Sequence, residues 1–219
     1  MLTPAVLIRS SNGTFPLEIG RIFCLTTNYP DHAKEMGGTG RERPSVFLKP
    51  WTALLPLKEG EEGEVPFPAL GAEMHHEVEL VMACINGRDW AFGVGLDLTM
   101  RDVQKNLKAK GLPWLLSKGF DRSAPISTLL HPSLVPDPDG LEIALEVNGA
   151  LRQKGNPREM TIGVADVPKF IAEFSAVRPG DLVFTGTPQG VGPLKSGDRC
   201  KAELSIKGNI AASLKVRII

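Results

Sequence analysis

Apolar residues in this chain come in short runs cut every few positions by glycine or proline, a pattern that predicts strands joined by tight turns. Strands are expected over residues 21–26, 45–48, 77–85, 142–147, 181–185, 199–206 and 211–218. Three segments carry helical periodicity instead. Behind Asp166, in capping position, Val167, Phe170, Ile171, Phe174 and Val177 recur at i, i+3, i+4 until Pro179-Gly180 stops them. Residues 99–110 predict a helix ended by Gly111, with Met100, Val103 and Leu107 on one face and Arg101 and Gln104 together on another. Residues 30–36 predict a third, with Pro30 in its first turn, His32 and Glu35 at i, i+3, and Gly37-Gly38 behind it. At about two turns it is marginal alone and orders only when something packs on it. The pattern describes a mixed α/β, β-rich fold with few helices. It is read as one domain over residues 1–219, with 1–20 an N-terminal segment and 21–219 the core.

Glu77 and Glu79 interrupt the apolar strand over residues 77–85. Side chains two apart on a strand share a face, so the two carboxylates point one way. On an exposed face the pair is simply solvated, which is the usual fate of an isolated Glu-x-Glu. On a buried face it must hold a proton, with one pKa sharply raised, or bind a cation. A hard divalent metal resolves the conflict, and no basic residue adjoins the pair in sequence to do so.

Charge narrows the classes. With 25 Lys+Arg against 25 Asp+Glu, the chain has no electrostatic footprint for nucleic acid or an anionic membrane surface, and small ligands fit better. Cys24, Cys84 and Cys200 lie in apolar stretches without Cys-x-x-Cys and read as reduced core thiols, not a zinc site. No apolar stretch approaches the ~18 residues that span a bilayer, and no signal-like segment opens the chain, so a soluble cytoplasmic protein is expected. The charged stretch 57–64 reads as a solvated loop. Thr185-Gly186-Thr187-Pro188-Gln189-Gly190-Val191-Gly192 has neither dinucleotide nor P-loop spacing, yet a strand feeding a Gly-rich turn brings backbone N–H groups and a Thr hydroxyl against a ligand.

Several motifs in order carry a resemblance. They are Asn28-Tyr29-x-x-His32-x-x-Glu35, Phe47-x-Lys49-Pro50, His76-Glu77-Val78-Glu79-Leu80, Leu96-Asp97-Leu98-Thr99-x-Arg101-Asp102-x-Gln104, Gly111-Leu112-Pro113-Trp114-x-x-x-Lys118-x-Phe120-Asp121, Val147-Asn148-Gly149-x-x-Arg152-Gln153 and Thr185-Gly186-Thr187-Pro188-x-Gly190-Val191-Gly192. Together they resemble the fumarylacetoacetate hydrolase family, most closely its acylpyruvate and fumarylpyruvate hydrolases. The resemblance implies the family's mixed β-roll, a homodimer, and a Mg²⁺ or Mn²⁺ site held by Glu77, Glu79 and Asp97. It implies that His32, oriented by Glu35, activates water from a lid helix. Lys118 and Gln104 would stabilise an oxyanion, and Arg101 and Thr187 would grip the substrate's carboxylate and polar end. Taken singly, each of these residues has a plainer reading. Asp97 can serve the N-terminus of the following helix, His32 and Glu35 can be an exposed pair, and Arg101, Gln104 and Lys118 can be solvated. His75, His76 and His131 read as structural.

The activity implied is metal-dependent hydrolysis of a C–C bond in acylpyruvate-type 2,4-dioxo acids such as fumarylpyruvate, releasing pyruvate in aromatic catabolism. The same metal-enolate site would serve an oxaloacetate decarboxylase or a 2-oxo-dienoate isomerase or decarboxylase. A non-catalytic dimeric relative that binds a metabolite is the reading from another class. The chain departs from the family pattern twice. Thr26-Thr27 stands where Gly-x usually precedes Asn-Tyr, at the turn into the lid. Between Glu79 and Asp97 a covering helix of about three turns is replaced by Asn86-Gly87-Arg88-Asp89, which reads as a tight hairpin turn. Trp90 and Phe92 beside that turn are then left partly exposed unless they pack against the protein's own core or a second subunit.

Overall fold

The computed structural model describes residues 4–219. The predicted strands form within one or two residues of their expected ends, and they build a mixed β-roll from three sheets. The largest sheet runs in the order Gly13–Glu18, Ala5–Ser10, Leu129–Leu130, Trp90–Leu96, Val78–Cys84, Asp181–Phe184, Arg21–Leu25, Val46–Lys49. Its pairings are mostly antiparallel, but Asp181–Phe184 runs parallel to Arg21–Leu25 and Ala5–Ser10 parallel to Leu129–Leu130. A second sheet joins Ala150–Gly155, Leu141–Val147, Arg199–Ile206, Asn209–Ile218 and Glu62–Val65.

The centre of the large sheet is covered on both faces. Along Val78–Cys84 every residue is buried, with Leu80, Met82 and Cys84 entering one apolar cluster and Val81 and Ala83 the other. This is the period-two alternation of a strand with two dry sides. The first cluster also takes Leu141, Ile143, Leu204 and Leu214 from the second sheet, so it fills the space between the sheets. Gly95 is required on the neighbouring strand, because a Cβ there would lie 2.7 Å from the Phe184 ring.

The hairpin expected at Asn86-Gly87-Arg88-Asp89 is present. Asn86 Oδ1 accepts from the backbone N–H of Arg88 and Asp89, at 3.0 and 2.9 Å, and Gly87 takes φ 89°. Trp90 and Phe92 are 8% and 4% exposed and belong to the core between the sheets, so of the two packings expected of them it is the protein's own core that covers them. Three expectations change. The helix behind Asp166 spans only Val167–Ala172, and Phe174 is exposed, touching Phe23 and Phe170 edge-on instead of entering the core. Helix Arg101–Ala109 starts later than predicted because Thr99–Met100 pairs as a strand with Met74–His76. The stretch 57–64 is not wholly a loop: after a turn at Lys58–Glu61, Glu62–Val65 pairs with Asn209–Ile218 and alternates exposed Glu62 and Glu64 with buried Gly63 and Val65. No helix among the described residues is long and apolar enough to cross a membrane. All three cysteines are buried and free, as expected.

Candidate active site

Glu77, Glu79 and Asp97 come together because one hairpin carries all three. Val78 pairs with Leu96 in the antiparallel register, and the Asp97 N–H donates to Glu77 O at 2.8 Å, so Glu77 and Asp97 face each other across the pair. Glu79 follows two positions along the same strand and shares the Glu77 face. All three are buried, and one carboxylate oxygen from each lies within 4.8 Å of the others. The solvated reading of Glu-x-Glu is thereby excluded. So is capping by Asp97, since the helix begins after Met100 with no side-chain cap.

Three cations converge on these carboxylates from three separate elements. Lys118 Nζ donates to Glu77 Oε2 at 2.8 Å and to Asp97 Oδ2 at 2.6 Å. Arg101 pairs with Glu77 Oε1. Lys49 Nζ lies 2.8 Å from Asp97 Oδ1 but points its hydrogen bonds at Lys118 O, Ser123 O and Ser123 Oγ, leaving Asp97 Oδ1 without a directed donor. Lys49 was quoted in a motif without a role; the signal available was a lysine closing an apolar strand run, where it is almost never buried unless paired.

Charge is divided unevenly over the triad. Burial opposes ionisation of Glu77, but Lys118 and Arg101 outweigh it and hold that carboxyl well below the usual range. Burial, then Asp97 and Glu77, push Glu79 well above it, against Lys118 and a backbone donor, Gly186 N, at 2.7 Å. Burial likewise opposes the Lys118 charge, and Asp97 and Glu77 reverse that, raising its pKa. The proton or cation demanded by two neighbouring carboxylates is therefore needed chiefly at Glu79.

Helix Pro30–Glu35 sits over the triad. Glu35 Oε2 lies 3.1 Å from His32 Nδ1 and Glu35 also accepts from Gly190 N, which pins the lid helix to the Gly-rich turn. A carboxylate can only accept, so Nδ1 carries the proton and Nε2 is left as the basic nitrogen. Thr27, at the strand-to-lid turn, takes φ 52°, a conformation rare for a β-branched residue and costly by ~1–2 kcal/mol. Asn28 stabilises the turn, donating to Thr185 O at 2.8 Å and accepting from Ile162 N at 2.8 Å. The turn into the lid is thus made without the usual glycine.

A cavity of about 90 Å³ is lined by His32, Glu77, Glu79, Asp97, Arg101, Gln104, Lys118 and Thr187, with Thr26, Thr27, Phe47, Lys108 and Trp114 toward its mouth. Every site residue singled out in the sequence lines it except Glu35, which stands behind His32. Gln104 is buried and accepts from Arg101 Nη1 at 2.8 Å, which leaves its amide N–H groups to donate. Arg101 Nε is buried with no acceptor among the described residues. Thr187 spends its hydroxyl proton on Val78 O at 2.8 Å and accepts from Gln153 Nε2, so it offers a ligand only an acceptor. Gln153, whose motif suggested function, is a buried tie that also accepts from His76 and Val78 N.

This β-roll with a buried acidic triad under a His-Glu helix defines the class, and comparison with known proteins names it. The family model for the fumarylacetoacetate hydrolase C-terminal region matches residues 21–215, and the chain belongs to that family. Mouse oxaloacetate tautomerase FAHD1, mitochondrial, is 40% identical over 207 residues, which are 90% of this chain and 91% of that one. The uncharacterized Pyrococcus horikoshii protein PH0643 is 39% identical over 204 residues, 87% of this chain and 86% of that one. Among solved structures, fumarylpyruvate hydrolase from Pseudomonas aeruginosa, in complex with Mn²⁺ and pyruvate, superposes with TM-score 0.89 at 34% identity over 100% of this chain and 99% of that one.

Proposed function

We propose that the protein is a divalent-metal-dependent enzyme that cleaves the C–C bond of an acylpyruvate-type 2,4-dioxo acid such as fumarylpyruvate and releases pyruvate. The observation that carries this is the buried Glu77-Glu79-Asp97 triad facing the His32–Glu35 pair across one small cavity. The donor set fits Mg²⁺ or Mn²⁺: all three ligands are hard oxygens, and Asp97 Oδ1 is buried without a hydrogen-bond donor. A cation held there supplies Lewis-acid stabilisation for negative charge developing on a 2-oxo oxygen.

The chain's own residues then divide the remaining work. Arg101, through its unpartnered Nε, holds the substrate's carboxylate. His32 Nε2 takes a proton from water, with Glu35 fixing the imidazole, and the hydroxide adds to the distal carbonyl. Gln104 and Lys118 donate to the oxygen that becomes charged. When the C–C bond breaks, its electron pair enters the pyruvate enolate, which is protonated on carbon while the other fragment leaves as a carboxylic acid. A second reading, oxaloacetate tautomerisation or decarboxylation at the same site, is favoured by the oxaloacetate tautomerase relatives. The homodimer and the cytoplasmic setting belong to the same proposal.

The test is to assay fumarylpyruvate, acetylpyruvate and oxaloacetate with added Mg²⁺ and Mn²⁺, following pyruvate release and keto–enol conversion separately. Metal-dependent pyruvate release from a dioxo acid is expected. Turnover of oxaloacetate alone would select the second reading, and no metal-dependent turnover of any of them would overturn both.

A further inference from the structure

One cation of the cavity is left over by the site's own electrostatics. Lys49, Arg101 and Lys118 are each paired with Glu77 or Asp97. Lys108 also lines the cavity, yet among the described residues its side chain makes no ion pair and no hydrogen bond. It lies on helix Arg101–Ala109 in register with Arg101 and Gln104, at i, i+3 and i+7, so the helix presents the three along one face from the cavity's interior to its mouth. Its ammonium sits 4.8 Å from the centre of the Trp114 ring, and Trp114 in turn packs on Phe47, 5.8 Å between centroids. A cation on an aromatic wall keeps its position while its remaining N–H groups face outward. Burial, then Arg101 and Lys118, lower the Lys108 pKa and Glu77 only partly offsets them, so cations outweigh anions around this ammonium.

Resting on the oxo-acid reading above, we infer that Lys108 binds a second carboxylate, and that the substrate is a 2-oxo dicarboxylic acid with one carboxylate at Arg101 and the other at the cavity mouth. A 2-oxo acid with a neutral distal end would leave Lys108 unpaired. Lys108 is here a specificity-determining residue, with no part in bond breaking.

The experiment compares two unreactive probes that differ only at the far end, 2-oxoglutarate and 2-oxopentanoate, by calorimetric titration of the Mn²⁺-loaded protein. The wild type is expected to bind 2-oxoglutarate about fivefold to tenfold more tightly, the size suited to a charge contact at a half-open mouth. In Lys108→Met, which keeps the apolar stem on Trp114, that ratio collapses toward one, and Lys108→Arg restores it. Equal binding of the two probes by the wild type, or a preference that survives in Lys108→Met, would overturn the assignment. Failure of both probes to bind would instead overturn the oxo-acid reading beneath it.

Discussion

The hairpin that carries the acids and the helix that carries the histidine are built to opposite specifications. Strand Val78–Cys84 is buried throughout and paired on both edges, to Trp90–Leu96 and to Asp181–Phe184. Helix Pro30–Glu35 buries only His32 and Ala33, and it is tied to the body by its core-buried N-cap Tyr29, the Asn28 bonds and the Glu35–Gly190 contact. Moving the hairpin means breaking a sheet, whereas lifting the helix breaks local contacts only. Charges whose spacing must survive mutual repulsion are placed on the rigid element, and His32, the residue proposed to activate water, on the one with fewer contacts.

That contrast is broken most severely at the hairpin. Exhaustive chelation, or Glu79→Ala, is expected to abolish turnover; full activity of metal-free protein in a kinetic assay would remove the triad from the mechanism. At the helix the effect is large but selective. His32→Ala is expected to lower hydrolysis by roughly 10² to 10⁴, while oxaloacetate tautomerisation, which needs no attacking water, suffers less. Equal losses in both rates would refute the separation of roles.

Titration sharpens the comparison further. Glu79 has its folded pKa raised, so the proton it retains stabilises the metal-free protein below the ordinary glutamate range, and that stability is lost as pH rises toward the raised value. A metal that replaces the proton should stabilise the fold more as pH increases. Thermal unfolding with and without Mn²⁺ from pH 5 to 8 should show a Tm difference that widens with pH and flattens in Glu79→Gln. A difference independent of pH in the wild type would count against Glu79 as the proton's holder.

The smallest effect belongs to the helix surface. Lys34 is exposed there and, among the described residues, pairs only with Asp31, so Lys34→Gly is expected to weaken the helix by about 0.5–1 kcal/mol. Hydrogen exchange at residues 32–36 should speed up while the global Tm stays put. A drop in Tm would mean that the helix belongs to the cooperative core.

What could be read in advance follows the same division. Period-two runs located the strands, and Glu77 and Glu79 stood out because charge interrupted an apolar run. Asp97 rested on motif order alone, because opposition across a hairpin leaves no trace in one-dimensional spacing. Arg101 and Lys118 stood in the motifs with other roles and Lys49 with none; that all three pair with the triad escaped for the same reason, because they reach it through tertiary packing from separate elements. Phe174 misled because a helical stripe was extended past the point where Val167–Ala172 ends. For Trp90 and Phe92 the sequence shows that a covering helix is gone but not which surface takes its place, a second subunit or, as found, the protein's own second sheet.

The Asn86–Asp89 turn also bears on the order of folding. It lets Glu77, Glu79 and Asp97 meet by closing one short loop, while Lys118 reaches Asp97 only across the 21 positions that hold helix Arg101–Ala109, and Lys49 comes from another strand altogether. Short closures carry the smaller entropic cost and form sooner. The acids thus meet before their lysines do, and until then their counter-ion has to come from solution. Refolding followed by tryptophan fluorescence is expected to accelerate when Mn²⁺ is present from the start, and an unchanged rate would place the meeting of the acids after the arrival of the lysines.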